Sequence, residues 1–364
     1  MTKAIHQRSS PRKRGPSIPE QDVADTERQS CGRCLLGPRF RGDDRRRGRA
    51  LATLLYCLIA AMSFAQSAPA IAADKLRVGK AVAEAFSFTP PDVGMRTGIF
   101  QKHNTELELT AFAGDARMQQ AAAADGIDIL LGSGPAMAFI AKGVPIKGIA
   151  AMAGPPLLLA IVVRPDGPKT TADLKGKTVS VSTAGSLTYW LVAETSRRQG
   201  WGPTGINIAP MGATPGQLAA LKRGDIDGAI MDVGNAFDLE KRGEGRILVR
   251  FTDIKDFHIH VIFATDKAIA TKPAAVGNFL KGWFETIAFM RRNKAETVKI
   301  AMQVTEKDQD ITNRVYDEIM PMFSDTGRFD PKALATLSKS YVELKLLPTE
   351  PDMSKLYTEA FLPK

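Results

Sequence analysis

The chain has 364 residues, with 49 Lys and Arg against 39 Asp and Glu, a net charge of +10, and three cysteines. Residues 1–73 hold 13 of the basic and 6 of the acidic residues, so the rest carries only +3 and offers nucleic acid little attraction. Cys31, Cys34 and Cys57 also precede residue 74, which excludes disulfides, thiolate nucleophiles and cysteine-bound metals from the remainder.

The first 44 residues predict a disordered extension. They are rich in Arg, Pro and Gly and show no hydrophobic periodicity. We hypothesise that the start codon is assigned too early and that translation begins near residues 44–51. The mass of the unprocessed precursor would test this, because a chain that contains residues 1–44 would contradict it.

Residues 45–73 predict a cleaved secretory signal peptide. Basic residues at 45–49 precede the uncharged apolar run Ala50–Ala65, and the small-residue tract Ser67–Ala73 follows. Cleavage after Ala72 places Ala70 at the −3 position. A membrane anchor is the alternative, but the run is shorter than the roughly 20 apolar residues that span a bilayer. We therefore expect a soluble protein exported to the periplasm.

The remaining chain contains one pattern of predicted elements twice. The first copy has strand 76–82, loop 85–91, strand 107–112, helix 116–125 and strand 129–132. The second copy has strand 178–181, loop 182–186, helix 189–198, strand 206–211, helix 215–223 and strand 228–232. Asp128 and Asp227, 99 residues apart, hold equivalent positions. Strands that alternate with helices indicate parallel pairing through right-handed crossovers.

The predicted fold class is therefore α/β with two lobes, each a mostly parallel sheet with flanking helices. Strands 157–163 and 260–264 are the candidate hinge strands between the lobes. Residues 272–364 read as almost wholly helical and should pack on the first lobe. The predicted boundaries are 74–160 with 262–364 for the first lobe and 161–261 for the second.

Four segments give this chain a family resemblance. They are RTGIFQKHNTELELTAF (96–112), DGIDILLGSGPAMAFIAKGVPIKGIAA (125–151), TTADLKGKTVSVSTAGSL (170–187) and LAALKRGDIDGAIM (218–231). With them the chain resembles periplasmic substrate-binding proteins of ABC importers, in the group that binds sulfonates, taurine, nitrate and thiamine-pyrimidine precursors. The resemblance implies a type II periplasmic-binding-protein fold, a small-molecule ligand between the lobes, an ABC permease of the inner membrane as partner, no cofactor and a monomer.

The resemblance also implies a ligand cleft formed by four loops. Their candidate ligand-binding residues are Phe86, Ser87 and Thr89 after the first strand, Ser133 and Pro135 after the third, Ser182, Thr183, Gly185 and Ser186 in the second copy, and Asp232 at its last strand. The free N–H groups of a helix that starts at Ser186 would favour an anion. Ordinary helix capping by Ser186, Ser133 or Asp232 is the alternative reading.

Several ligand types stay open. No Lys or Arg lies in the four loops, so an anion would depend on helix N-termini and hydroxyls, or on Lys80 or Arg117 reaching in. Phe86 and Phe88 could stack on a planar ligand, although core packing is the commoner role of such rings. The solute could be a sulfonate, a carboxylate or a pyrimidine-like compound.

Four other functions compete with solute binding. His258 and His260 could provide two metal ligands, but zinc sites usually need three or four, so no metal is predicted. A pyrimidine-precursor synthase of this fold needs a cysteine-rich iron motif, and a serine hydrolase needs a G-x-S-x-G elbow; residues 74–364 contain neither. We therefore predict no enzyme. An exported ligand sensor without transport remains an alternative.

Overall fold

A computed structural model describes residues 73–364 of the chain, except Pro156. The predicted extension and all but the last residue of the predicted signal peptide lie outside this range. Among the described residues, every helix is too short or too polar to span a bilayer.

The first sheet has five strands in the spatial order β2-β1-β3-β10-β4. The strands β1 and β2 pair in parallel, as do β1 and β3, whereas β10 runs antiparallel to both β3 and β4. The strands are β1 (Asp74–Lys80), β2 (Thr105–Ala111), β3 (Ile129–Ser133), β4 (Ile146–Ala153) and β10 (His260–Thr265).

The second sheet repeats this arrangement in the order β7-β6-β8-β5-β9. Its members β6, β7 and β8 pair in parallel, and β5 runs antiparallel to β8 and β9. The strands are β5 (Leu157–Val163), β6 (Thr178–Val181), β7 (Asn207–Pro210), β8 (Gly228–Asp232) and β9 (Arg246–Phe251). The fold class predicted from the repeated pattern is confirmed, and we call the two sheets with their helices the first and second lobe.

The two predicted hinge strands differ in detail from the structure. All of β5 pairs within the second sheet and all of β10 within the first. The chain therefore changes sheet before each of these strands, between β4 and β5 and again between β9 and β10. The lobe boundaries given above stay a prediction, but residues 157–160 already pair in the second sheet.

Twelve α-helices surround the sheets in the described residues. In the first lobe they are α1 (Pro90–Arg96), α2 (Ile99–Lys102), α3 (Asp115–Ala123) and α4 (Met137–Ala141). In the second lobe they are α5 (Leu187–Arg198), α6 (Thr214–Arg223) and α7 (Val233–Lys241). The C-terminal helices are α8 (Asp266–Thr271), α9 (Pro273–Arg292), α10 (Lys294–Thr305), α11 (Gln309–Ile319) and α12 (Pro331–Glu343).

The C-terminal helices contact both lobes, which corrects the prediction that they pack on the first alone. In α9, Phe279 stacks on Phe100 of α2, with ring centroids 5.6 Å apart. In α12, Ser340 accepts a hydrogen bond of 2.8 Å from the indole N–H of Trp190 in α5. These helices therefore join the lobes as well as covering the first.

Asp128 and Asp227 confirm the internal repeat at the level of single hydrogen bonds. The Asp128 carboxylate accepts from the Arg77 backbone N–H at 2.9 Å, beside β3. The Asp227 carboxylate accepts from the Thr178 backbone N–H at the same distance, beside β8. Each aspartate therefore ties the start of the third strand of a copy to its first strand.

Candidate ligand-binding cleft

A cavity of about 300 Å³ lies between the lobes, where β1, β3, β6 and β8 end. Ligands of open α/β sheets collect at this edge, because loops and helix N-termini meet there. Apolar side chains and backbone form most of the wall. Its polar side chains are those of Glu84, Ser87, Asp115, Ser133, Ser182, Ser186, Thr188, Thr214, Gln217, Asp232 and His260.

Five of the ten predicted site residues line this cavity. They are Ser87, Ser133, Ser182, Ser186 and Asp232. Phe88, which is the neighbour of predicted Phe86, also lines it. The loops after the four strands thus meet at one place, as the repeat and the resemblance led us to expect.

Two predicted residues of the first loop face away from the cavity. Phe86 is buried and meets Tyr316 edge-on, with ring centroids 6.1 Å apart. The hydroxyl of Thr89 is buried and donates to the Phe86 carbonyl at 2.8 Å. The loop forms a 3₁₀ turn over Phe86–Phe88, which directs neighbouring side chains to different sides. Phe88 therefore takes the position that sequence reasoning gave to Phe86.

The other three predicted residues outside the wall have structural contacts. Pro135 is buried in a 3₁₀ turn, where the Tyr341 hydroxyl donates to the carbonyl of the preceding Gly134 at 3.0 Å. Gly185 has φ +73° and lies against the Phe139 ring. Thr183 contacts the first lobe and is described below. All three shape the surroundings of the cavity without lining it.

Ser182, Ser186 and Thr188 form a cluster of hydroxyl groups at the start of α5. The hydroxyl oxygens of Ser182 and Ser186 are 3.1 Å apart, and both lie within 2.9 Å of the Thr188 hydroxyl. Ser186 donates to the Thr183 carbonyl at 2.7 Å and accepts from the Tyr189 N–H at 3.3 Å. Ser186 is thus the N-cap of α5 and also lines the cavity.

Asp115, at the start of α3, brings a buried carboxylate to the cavity. Its two oxygens accept from the backbone N–H of Ser133 at 3.0 Å and from the Ser133 hydroxyl at 2.9 Å. Desolvation raises the pKa of Asp115, while the bonds from Ser133 and the N–H of Leu187 lower it in part. Leu187 is the first residue of α5, so a protein carboxylate lies near the helix start where an anionic ligand was predicted.

Asp232 ends β8 and caps α7. One of its oxygens accepts from the Gly234 N–H at 2.8 Å. Desolvation raises the pKa of Asp232 to about 7; the Gly234 N–H, Lys307 and Arg250 act against this rise, and Glu84 adds to it. At neutral pH the protonated and the ionised form of this carboxyl are therefore both populated.

His260 also brings a ring to the cavity wall. It packs against Phe88, with centroids 4.7 Å apart and the planes tilted by 53°. Desolvation lowers its pKa to about 4, so the ring is neutral at neutral pH. Its Nδ1 is buried and has no hydrogen-bond partner among the described residues.

His258 lies in a different environment from His260. It precedes β10, so strand alternation does not place both rings on one side. Its Nε2 accepts from the Asp330 N–H at 3.0 Å, and its ring meets Phe329 edge-on. In the part of the chain that the structure describes, no three His, Cys, Asp or Glu side chains come together as a metal site.

The lobes also touch directly beside the cavity. The Thr183 hydroxyl of the second lobe accepts from the Ala116 N–H in the first turn of α3, at 3.3 Å. Gly114 precedes α3 with φ +112°, and a Cβ there would come within 2.6 Å of the Thr183 side chain. Glycine is therefore required for this close approach, and the structure shows a conformation in which the lobes have met.

Comparison with known proteins places the chain in a family. The family model described as NMT1/THI5 like matches residues 85–297. The chain belongs to the NMT1/THI5-like family. A Haemophilus influenzae protein provisionally named a thiamine biosynthesis protein is 32% identical over 94 residues, which are 26% of this chain and 30% of that protein. The matched region thus spans less than a third of this relative.

Solved structures show the fold of this NMT1/THI5-like protein again. The alkanesulfonate-binding protein of Xanthomonas axonopodis pv. citri, bound to MOPS, superposes with a TM-score of 0.68 at 16% identity, covering 78% of this chain and 98% of that one. The nitrate-binding protein of Synechocystis PCC 6803 gives 0.63 at 13% identity, covering 79% and 86%. At these identities the likeness establishes the fold and leaves the ligand to the cleft residues.

Sequence reasoning missed six polar residues of the cleft in this NMT1/THI5-like chain, and three of them, Asp115, His260 and Glu84, can ionise. Asp115 directly precedes the predicted helix 116–125, but its contact with Ser133 depends on the pairing of the strands. His260 was considered only as a metal ligand. Glu84 precedes the predicted loop and shows no pattern of its own. The predicted cations are absent from the wall: Lys80 pairs with Asp92 at 3.0 Å, and Arg117 does not line the cavity.

Proposed function

We propose that this protein is the exported, periplasmic solute-binding component of an ABC importer, which encloses a small organic molecule between its lobes and delivers it to a permease of the inner membrane. The observation that carries the proposal is the cavity itself. Its wall combines polar groups of both lobes, Ser87 and Ser133 from the first with Ser186 and Asp232 from the second. A ligand that contacts both walls favours the closed state by its differential affinity.

Ligand capture can be tested on the purified protein after unfolding and refolding have removed any bound compound. A thermal-shift screen should include sulfonates, carboxylates, nitrate, pyrimidines and amines. A ligand at about one hundred times its dissociation constant adds about 2.7 kcal/mol of stability. A clear shift with one chemical class supports capture, and the absence of any shift would contradict it.

Transport requires a separate test, because an exported sensor would bind a solute equally well. Uptake of the solute identified in the screen is measured in cells with and without the gene. Loss of uptake in the deletion strain, restored by the wild-type gene, is the expected result. Unchanged uptake would favour the sensor alternative. Genes for a permease and an ATPase beside this one would support the importer.

We propose binding without catalysis. The related pyrimidine-precursor synthases, as the resemblance implies, use a lysine-bound cofactor and a histidine. In the described residues, no Lys or Arg side chain lines the cavity. Lys80, the lysine closest in sequence to the first loop, forms an ion pair with Asp92. Incubation of the purified protein with a bound ligand should return the ligand unchanged by mass spectrometry.

A further inference from the structure

The charged groups of the cavity wall are all acidic in the described residues. Glu84 and Asp115 come from the first lobe and Asp232 from the second, and no Lys or Arg side chain joins them. Lys307 lies nearby, in a cavity of about 10 Å³ that also touches Glu84 and Asp232. It already pairs with Asp238 at 3.2 Å. An anionic ligand would therefore face three carboxyl groups without a cation on the wall to neutralise it.

The groups that could attract an anion have partners within the protein. The hydroxyls of Ser182, Ser186 and Thr188 bond to one another. Asp115 lies beside the first N–H of α5, close enough for that N–H to lower its pKa. An anion would have to displace this carboxylate or remain next to it, and two like charges that share a site repel each other.

The wall does offer a place for a positive charge. Asp232 uses one carboxylate oxygen for the Gly234 N–H, and its other oxygen has no hydrogen-bond partner among the described residues. Glu84 forms no ion pair or hydrogen bond within the same range of residues, and it lines the cavity from the opposite lobe. A protonated nitrogen between them would donate charge-assisted hydrogen bonds to carboxylates of both lobes. Such a ligand would hold the cleft closed.

The rest of the wall suits an apolar, planar body. Phe88 packs on the ring of His260, and Leu158, Leu159, Ile259 and Met322 add apolar surface. Because His260 is neutral at neutral pH, it adds no positive charge that would repel a cation. Aromatic faces also attract cations through their quadrupole.

We propose that the cleft binds a compact organic cation, with its planar apolar body against Phe88 and its protonated nitrogen between Glu84 and Asp232. This inference rests on the proposed solute-binding function and names the ligand class. The sequence predicted a ligand that is anionic or planar. The present proposal keeps a planar ligand and assigns it a positive charge in place of a negative one.

Three compounds of nearly equal shape separate the effect of ligand charge on affinity from the effect of ligand shape. Benzamidine is a cation, benzamide is neutral and benzoate is an anion. We expect calorimetry on the stripped, purified protein at pH 8 to show benzamidine binding roughly tenfold tighter than benzamide, since one charge-assisted contact is of that size. Benzoate should bind more weakly than benzamide.

Two variants and a matched control test which carboxylates bind the positive charge of the ligand. Asp232→Asn keeps a side-chain oxygen for the cap of α7, and Glu84→Gln changes an unpaired loop residue. Each variant should weaken the affinity for benzamidine by roughly tenfold and change the affinity for benzamide by about twofold at most. Asp166→Asn, at a side chain that is 85% exposed and outside the cavity, should change neither.

The affinity of the wild-type protein for benzamidine should also rise with pH. A proton and a cation compete for Asp232, whose neighbours are Glu84, Lys307, Arg250 and the Gly234 N–H, and its pKa is about 7. The amidinium keeps its charge between pH 6 and pH 8, so the affinity should increase up to about tenfold across this range. In Asp232→Asn this dependence should disappear.

Each result decides between the two proposals. Benzoate or an alkanesulfonate binding more tightly than benzamidine would overturn the cation assignment and leave solute capture intact. Equal affinities for benzamidine and benzamide would likewise remove the cation. If no compound of any charge binds at millimolar concentration, here or in the wider screen, both the cation assignment and solute capture are wrong.

Discussion

The two lobes contain the same five-stranded sheet but bring different side chains to the cleft. The strand β3 of the first lobe ends in Ser133, and the equivalent strand β8 of the second lobe ends in Asp232. In the first lobe the carboxylate comes instead from Asp115, which binds Ser133 from the start of α3. At the corresponding start of α6 the second lobe has Thr214. The repeated backbone therefore fixes where polar groups meet, while the individual residues decide their charge and partners.

The largest expected difference between the lobes concerns stability at Asp128 and Asp227. Asp128 is nearly buried and also binds the Arg77 guanidinium at 2.8 Å, whereas Asp227 is more exposed and lies 3.8 Å from Lys177. Asp128→Asn should lower the free energy of unfolding by about 2–3 kcal/mol, since it removes charge-assisted hydrogen bonds from Arg77 at a nearly buried carboxylate. Asp227→Asn should cost about 1 kcal/mol or less. Urea unfolding checks both, and equal losses would contradict the comparison.

The contribution of Asp128 to the free energy of unfolding should depend on pH in a defined direction. Burial alone would raise the pKa of Asp128, but hydrogen bonds from Arg77 and the charge of Lys272 outweigh it, so the pKa is lowered. Its stabilising effect is therefore complete above the unfolded pKa of about 3.9 and is lost as the pH falls through the folded value. The stability gap between wild type and Asp128→Asn should close in acid.

Gly114 and Gly212 precede equivalent helices and test the contact between the lobes. Both have positive φ, but only a Cβ at Gly114 would meet Thr183 at 2.6 Å; a Cβ at Gly212 would lie 3.6 Å from Ala113. Gly114→Ala should weaken ligand binding by about tenfold or more, because it prevents full closure at a cost of about 1–3 kcal/mol. Gly212→Ala carries backbone strain without the clash and is the control. Equal affinities in the two variants would mean that closure does not depend on Gly114.

Thr89 and Ser186 hold equivalent places in the two lobes. Thr89 precedes the helix α1 after β1, and Ser186 precedes the helix α5 after β6. Ser186 lines the cavity, and Thr89 does not. Ser186→Ala should weaken ligand binding by about 1–2 kcal/mol, the usual cost of losing a hydrogen bond at a buried polar group. Thr89→Ala should reduce stability and leave affinity unchanged. Calorimetry with the ligand found in the screen measures both, and an unchanged dissociation constant for Ser186→Ala would remove this residue from the site.

The smallest effect is expected from Asp232 on the stability of the ligand-free protein. Because desolvation raises its pKa to about 7, the folded state holds this proton more tightly than the unfolded state does. Stability therefore falls as the pH rises from the unfolded value of about 3.9 to about 7, and stays low above it. Asp232→Asn should raise the thermal midpoint at pH 8 and leave it unchanged near pH 3. A lower midpoint at pH 8 would contradict this, and Asp166→Asn, at a side chain that is 85% exposed, serves as the control.

The sequence by itself determined the architecture of the described lobes and the place of the cleft. Alternating strands and helices, with Asp128 and Asp227 in equivalent places, predicted two matching sheets, since local hydrophobic periodicity reports secondary structure directly. The same analysis placed Ser133 and Asp232 at strand ends and Ser186 at a helix start, and the structure shows a cavity lined by all three. These features depend on the order of residues within short segments.

Only the tertiary structure decided which side chains face the cavity and what charge they present. The 3₁₀ turn at Phe86–Phe88 turns Phe88 inward in place of Phe86, and strand pairing brings Asp115 to Ser133 and to the start of α5. The sequence predicted strands at residues 157–163 and 260–264, but their sheet membership depends on partners more than 50 residues away. Contacts between segments distant in the chain leave no local pattern, so they appear only once the chain has folded.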